Sequence, residues 1–337
     1  MNKKMKMKMC SMLLGLALFA ACSSDDDVVT PQPKTYPLTI EVSENPLIPE
    51  GGAASAPATR AAVITTSTLS QFNLNFVYES GSTFYKGSRS AAKDQTNGKW
   101  QSDGTWPIID TNIAWYAYTG GTFHPMPNSD ENASMPPYLN FTIEEASAYQ
   151  NDLLVSTTTG SYNSSTSTGD RLLFTFDHVC SAIRIWVKKA NNISGHTLNI
   201  SKIKLCNVLK QGKYYYGTKA WDLTDYTNSR AEYTLFEGSK DNLGHESYVL
   251  LNGDESNAFL FIIPQPLTAW NPSNITATDP NNTGSYLEIT CTIDGASTTT
   301  TAYYPFGITL VKGYQYDLQI NLGKSGLLNS NGTRIFQ

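Results

Sequence analysis

LLFTFDHVCSAIRIWVKK, residues 172–189, carries two strand-like halves in one stretch. In the second half Ile183, Ile185 and Val187 alternate with Arg184, Trp186 and Lys188. A period of two puts one face in a core and the other toward water, which is the pattern of a β-strand.

The same pattern recurs on both sides. Before it come LSQFNLNFVYE (69–79), STFYKGS (82–88), NIAWYAY (112–118) and DLLVSTTT (152–159). After it come HTLNISKIKLCNV (196–208), GKYYYG (212–217), NAFLFIIPQPL (257–267), SYLEITCTIDG (285–295) and YQYDLQINL (314–322). Asp103-Gly104 and Asp294-Gly295 mark tight turns between such runs. IEEASAYQNDLL, from Ile143, is the best helix candidate, and it is short. Many short strands separated by turn signals predict an all-β chain of β-sandwiches. A Gly/Ser/Thr-rich stretch from Gly160 to Gly169 is the expected boundary, giving an N-terminal sandwich at 61–168 and a C-terminal one at 169–337.

The N-terminus reads as a leader. Lys3, Lys4, Lys6 and Lys8 precede an apolar run that ends in Ala20-Ala21-Cys22. The run, about a dozen residues, is shorter than a membrane span needs. Small residues before a cysteine suit lipoprotein processing, so 1–21 is expected to be a signal peptide and Cys22 the acylated anchor, with several acyl chains holding the protein durably to a membrane. Asp25-Asp26-Asp27 follows, similar to the acidic signal that sends lipoproteins of the Bacteroidota to the cell surface. Residues 22–60 then read as a tether with a strand inside it. Leu38, Ile40 and Val42 share one face, and a Pro/Gly/Ala-rich linker with a single basic residue, Arg60, comes next.

Composition narrows the function. Of 337 residues, 16% are charged, against about a quarter in an ordinary globular chain. The net charge of -5, with no basic cluster outside the leader, argues against a nucleic-acid partner. Beyond the leader only Cys180, Cys206 and Cys291 remain, an odd number without CxxC spacing. Buried thiols are the expectation, with a Cys206–Cys291 pair left open. No motif for a hydrolase, a phosphate loop or a calcium loop occurs, so no catalytic residue, metal ligand or cofactor is assigned. His178 lies two residues from Cys180, a spacing that raises a Cys/His nucleophile only to favour a structural histidine. Tyr214, Tyr215, Tyr216, Trp106, Trp115, Trp221 and Trp270 would serve either a β core or a carbohydrate platform.

Taken in order, the lipidation motif, the tether, TRAA at 59–62, WYAY at 115–118, the midpoint stretch, FIIPQPL at 261–267 and YYPFGITLVKGYQYDLQINL at 303–322 resemble the fimbrillin (FimA/Mfa-like) family of Bacteroidales surface fimbriae. The likeness covers nearly the whole chain. It implies two tandem transthyretin-like β-sandwiches, export to the outer membrane as a lipoprotein, and cleavage by an Arg-specific protease between Arg60 and Ala61. It further implies that the strand through Leu38, Ile40 and Val42 then leaves, and that a strand donated by another fimbrial subunit takes its place. Adhesion to a host protein or glycan would follow. The C-terminal GKSGLLNSNGTRIFQ departs from a donor segment, because Gly, Ser and Asn break its alternation. Both a tip or accessory subunit and a short donor fit that tail. A surface lipoprotein that binds glycan or host protein without polymerising is the alternative.

Overall fold

The computed structural model describes residues 36–49, 64–80, 83–107, 110–125, 137–145, 150–251 and 259–336. It is all-β. The first strands are β1 (Thr39–Glu44), β2 (Ile48–Pro49), β3 (Gln71–Ser80), β4 (Thr83–Lys93), β5 (Trp100–Ser102), β6 (Asn112–Tyr118), β7 (Thr122–His124), β8 (Tyr138–Thr142), β9 (Leu154–Asn163), β10 (Thr168–Gly169) and β11 (Arg171–His178). There follow β12 (Ser181–Lys189), β13 (Leu198–Leu209), β14 (Gln211–Tyr215), β15 (Ala220–Asp222), β16 (Arg230–Lys240), β17 (Val249–Leu250), β18 (Leu260–Ile262), β19 (Pro266–Leu267), β20 (Tyr286–Ile293), β21 (Thr300–Pro305), β22 (Ile308–Thr309) and β23 (Tyr314–Leu322).

The first sheet closes on itself. Its order is β10-β9-β11-β1-β5-β4-β3-β6, and β6 pairs back to β9 along seven residue pairs. Seven strands therefore form a ring, which removes the open edges that a flat sheet would present. Alternation sends Phe72, Leu74, Phe76, Ile113, Trp115, Leu172, Phe174 and Phe176 inward, and all are buried. Trp106 packs edge-on against Trp115, their ring centres 5.5 Å apart. The Gly160–Gly169 stretch, the expected domain boundary, is the hairpin of β9 and β10. Its glycines let the backbone approach Trp106; a Cβ on Gly169 would stand 2.1 Å from the indole nitrogen.

The second half has one five-stranded layer and one four-stranded layer. One runs β17-β12-β23-β2, with β18 also on β12, and the other β16-β13-β20-β21. Ile183, Ile185, Val187, Ile203, Leu205, Leu287, Ile289 and Ile320 from both layers share one apolar core. A third sheet, β15-β14-β8-β7, adds Leu139 and Tyr214 to that core. β6 and β9 serve both cores: Trp115 and Leu154 face into the ring, whereas Tyr118 and Val155 join the second cluster.

Two expectations need adjusting, and one is met. β10 and β11 belong to the first sheet, so the chain passes between sheets at Val179–Cys180, about ten residues beyond the expected 168–169 boundary. The described part of the stretch from Ile143 is not helical; Gln150 instead crosses to bind the Glu144 carbonyl and the Phe261 amide. Cys180, Cys206 and Cys291 are buried free thiols. In the β13–β20 ladder Cys206 faces Tyr286 while Cys291 faces Ile200, so the register keeps that pair apart.

Leu38 and Ile40 of the first segment are 5% and 6% exposed inside the ring. Each Leu38→Ala or Ile40→Ala change should cost about 2–5 kcal/mol of stability. The exposed Thr39→Ala change should stay within about 0.5 kcal/mol. Denaturant unfolding of the full chain reads the difference, and equal losses at all three positions would contradict this packing.

Candidate functional site

The site that the sequence singled out is the place held by β1. The apolar alternation of Leu38, Ile40 and Val42 makes the segment a strand with one inward face. Leu38 and Ile40 are buried, and Val42 packs half-buried against the same core. On one side β1 runs parallel to β11 over six pairs, from Thr39 opposite Arg171 to Glu44 opposite Phe176. On the other side it meets β5 at one pair, Ile40 with Trp100, and Pro37 bridges Thr105. β1 is therefore an interior strand of the ring rather than an edge.

Its ends are fastened by polar contacts. The Trp106 amide donates to the Tyr36 carbonyl at 2.9 Å, and the Asn45 amide donates to the Phe176 carbonyl at 2.8 Å. Tyr36 leans on Tyr162 and donates its hydroxyl to Ser167. Asn45 Nδ2 donates to Asp177 at 2.6 Å. The Arg171–Glu41 ion pair at 2.9 Å is exposed on both sides and contributes little. Beyond Asn45 the chain crosses to the second half, where β2 pairs parallel with β23 and the Ile48 amide donates to the Gly313 carbonyl. One short segment thus straps both halves.

A buried polar cluster lies at the C-terminal end of β1. His178 Nδ1 and Asp152 Oδ2 are 2.7 Å apart, and both side chains are almost wholly enclosed. The same Asp152 oxygen accepts the Ile64 amide at 3.0 Å. Glu44 joins them from β1. Burial raises its carboxyl above its usual value, His178 and the Thr66 amide pull it down, and Asp152 adds to the rise. Glu44 Oε2 is enclosed without a hydrogen-bond partner among the described residues. The two ends of the linker that contains Arg60, at Glu44 and at Ile64, therefore converge on one buried pair.

Cys22, Arg60 and Ala61 lie outside the described residues. The C-terminal tail does not. Leu328 bridges Tyr303 on β21 and pairs again with Arg334, so the tail folds back as a small hairpin. Leu327, Leu328 and Phe336 are buried. The Gly, Ser and Asn residues that break its alternation build the turn, where Gly332 has a φ of 85°.

The chemical alternatives lose ground here. Burial pushes the Cys180 thiol well above its usual value, with Asp152 adding to the rise, whereas a nucleophile needs the opposite. Among the described residues no group of three or more His, Cys, Asp or Glu is placed to hold a metal ion. Trp106, Trp115, Trp270, Tyr214 and Tyr216 are buried packing residues. Only Tyr215 and Trp221 of the aromatic candidates keep partial exposure. Sequence reasoning did not pick out Glu44, Asp152 or Ile64. Their only signal was a carboxylate at the end of an apolar strand.

Comparison with known proteins gives a consistent picture. A family model described as fimbrillin-like matches residues 59–334. A fimbrial protein from Bacteroides vulgatus superposes with a TM-score of 0.53 at 17% identity, covering 85% of this chain and 95% of that one. A cell-adhesion candidate from Parabacteroides distasonis gives 0.47 at 10% identity, covering 89% and 91%. Another from Bacteroides ovatus gives 0.44 at 14% identity, covering 88% and 95%. No curated protein matches the chain.

The Glu44 environment makes a pH prediction. A carboxyl raised in the seated strand favours the seated state fully below its ordinary value of 4.5, and loses that contribution as pH rises through the raised value. Glu44→Gln removes this term. Melting temperatures of parent and variant, followed between about pH 4 and pH 7, should diverge in the variant's favour as pH rises. Parallel curves would contradict the assignment.

Proposed function

The chain belongs to the fimbrillin-like family, whose members are structural rather than enzymatic, and we propose that it works as a subunit of a cell-surface fimbria that accepts a strand where β1 sits. The observation that carries this reading is the position of β1. It completes a closed ring, yet it precedes a Pro/Gly/Ala linker with one arginine. The family match begins at residue 59, after β1 and next to Arg60.

The steps follow from physical chemistry. A protease that recognises a basic side chain has one target in the linker, Arg60. Cutting between Arg60 and Ala61 leaves β1 held only by noncovalent contacts. Its two buried side chains hold it by roughly 1.5–3 kcal/mol each, together with ladder hydrogen bonds. Loss of β1 opens β11 and β5 and exposes the inward faces of Phe72, Phe174 and Phe176. Unpaired backbone beside an apolar trough recruits a replacement strand. A second subunit's strand with apolar residues at alternate positions meets both needs.

Acylated Cys22 would hold the precursor at the outer membrane until assembly. The similar structure from Bacteroides vulgatus is that of a fimbrial protein, which suits a place at the cell surface and adhesion to a host protein or glycan. The docked tail favours a tip or accessory position over a stalk position. To donate, it would have to expose Leu327, Leu328 and Phe336.

Limited trypsin treatment of the purified precursor tests the assembly reading. The expected product has a new N-terminus at Ala61 and forms SDS-resistant oligomers with a strand-donating fimbrial subunit, whereas Arg60→Ala stays intact and monomeric. A cut chain that keeps β1 and never associates would contradict it.

A further inference from the structure

A cleft in the second half lies far along the chain from β1 and plays no part in strand exchange. It has a volume of about 890 Å³. That is within the range of small-ligand sites. One wall is the end of β15 and the turn after it, residues 221–227, and the other is the loop between β19 and β20.

The walls are fixed by internal bonds. Gln265 ties the floor to Leu209 through its amide nitrogen and its carbonyl oxygen. Trp270 Nε1 donates to the Ile275 carbonyl, and Asn282 Nδ2 donates to the Ala277 carbonyl. The Ala277 amide donates to the Ser330 carbonyl, so the folded tail braces the same wall. Trp221 is held by its indole N–H on the Val179 carbonyl. Arg230 is pinned by two backbone carbonyls, those of Asn207 and Thr283, and has no carboxylate partner among the described residues.

Against this rigid frame several lining side chains are uncommitted. Asn274, Asn281, Thr227 and Thr268 make no side-chain hydrogen bond among the described residues. They carry neutral groups that both donate and accept. The charged lining residues are Asp222 and Arg230, one of each sign, so the cleft has no net charge to select an ion. An acceptor-only carboxylate, a donor-only guanidinium, neutral amides and hydroxyls, and the apolar Trp221, Leu223 and Ile275 make a consistent set. It suits a ligand with hydroxyls around its rim and apolar faces on its rings.

The geometry points to a binding site for a neutral oligosaccharide between Trp221 and the Asn271–Asn282 loop. The ring carbons stack on the indole, and vicinal hydroxyls exchange hydrogen bonds with Asn274, Asn281 and Asp222. The prearranged walls lower the ordering cost of binding. The site is complete in the uncut monomer, so it stands or falls separately from the assembly reading, whose proposed adhesive role it would supply.

The test titrates the full, uncut chain with neutral hexasaccharides of glucose, mannose and galactose in α and β linkage. Tryptophan fluorescence and calorimetry provide the readout, with sialyllactose and a proline-rich peptide as controls. At least one neutral sugar should saturate with a dissociation constant near or below about 1 mM. Asn274→Ala combined with Asn281→Ala should weaken it roughly tenfold or more at an unchanged melting temperature. Both side chains are exposed and make no hydrogen bond among the described residues, so this variant keeps its fold, whereas Trp221→Ala would also remove the bond to Val179. Absence of saturation by every neutral sugar, equal binding by the double variant, or preference for the charged sugar or the peptide would each overturn the assignment.

Discussion

Everything in the first half depends on the closure of one ring of strands by a segment from far away in the chain. β1 and β11 are paired in parallel although 132 residues separate their partners, as between Ser43 and Thr175. Two parallel strands in one sheet need a long crossover, and here the entire remainder of the ring supplies it. β5 is only three residues long and meets β1 at a single pair, so the grip on β1 comes mainly from β11 and from the core beneath it. Without Leu38 and Ile40, the faces of Phe72, Phe174 and Phe176 would meet water.

This arrangement is compatible with the proposed acceptor role of a closed domain. A closed ring has no sticky edge, which protects the precursor from unwanted pairing. Taking out one strand creates two edges and a trough at once. The strap to β23 through β2 keeps the segment near its slot even if the linker is severed. Retention and release are then set by a few contacts whose strengths are each modest.

The pattern of the sequence carried the local elements well. Ile40 and Val42, with Leu38 just before them, the two halves of the midpoint stretch 172–189 and the run to Leu322 form strands as their alternation requires. What it did not carry was pairing. Nothing local says that β6 pairs with β9, or that β1 is interior rather than peripheral, because those choices are made by contacts across the fold. The Gly160–Gly169 stretch looked like a domain boundary because its glycines suit turns; they serve close approach to Trp106 instead. The tail looked like a failed strand because its hairpin turn uses the residues that interrupt alternation. The aromatic residues were ambiguous by type, and only burial separated Trp270, which packs, from Trp221, which lines a cleft. The processing and lipidation residues rest on the sequence alone.

The central claim is that β1 occupies an exchangeable place in the ring. Hydrogen exchange of the β11 amides in the trypsin-cut chain measures it most directly, before and after β1 is removed, and again with a synthetic peptide spanning Tyr36 to Pro49. The account predicts that Arg171–Phe176 loses protection when β1 departs and regains it with the peptide, while β12, β13 and β23 stay protected throughout. Continued protection of β11 without β1, or a loss that spreads to the second half and is not reversed by the peptide, would contradict it.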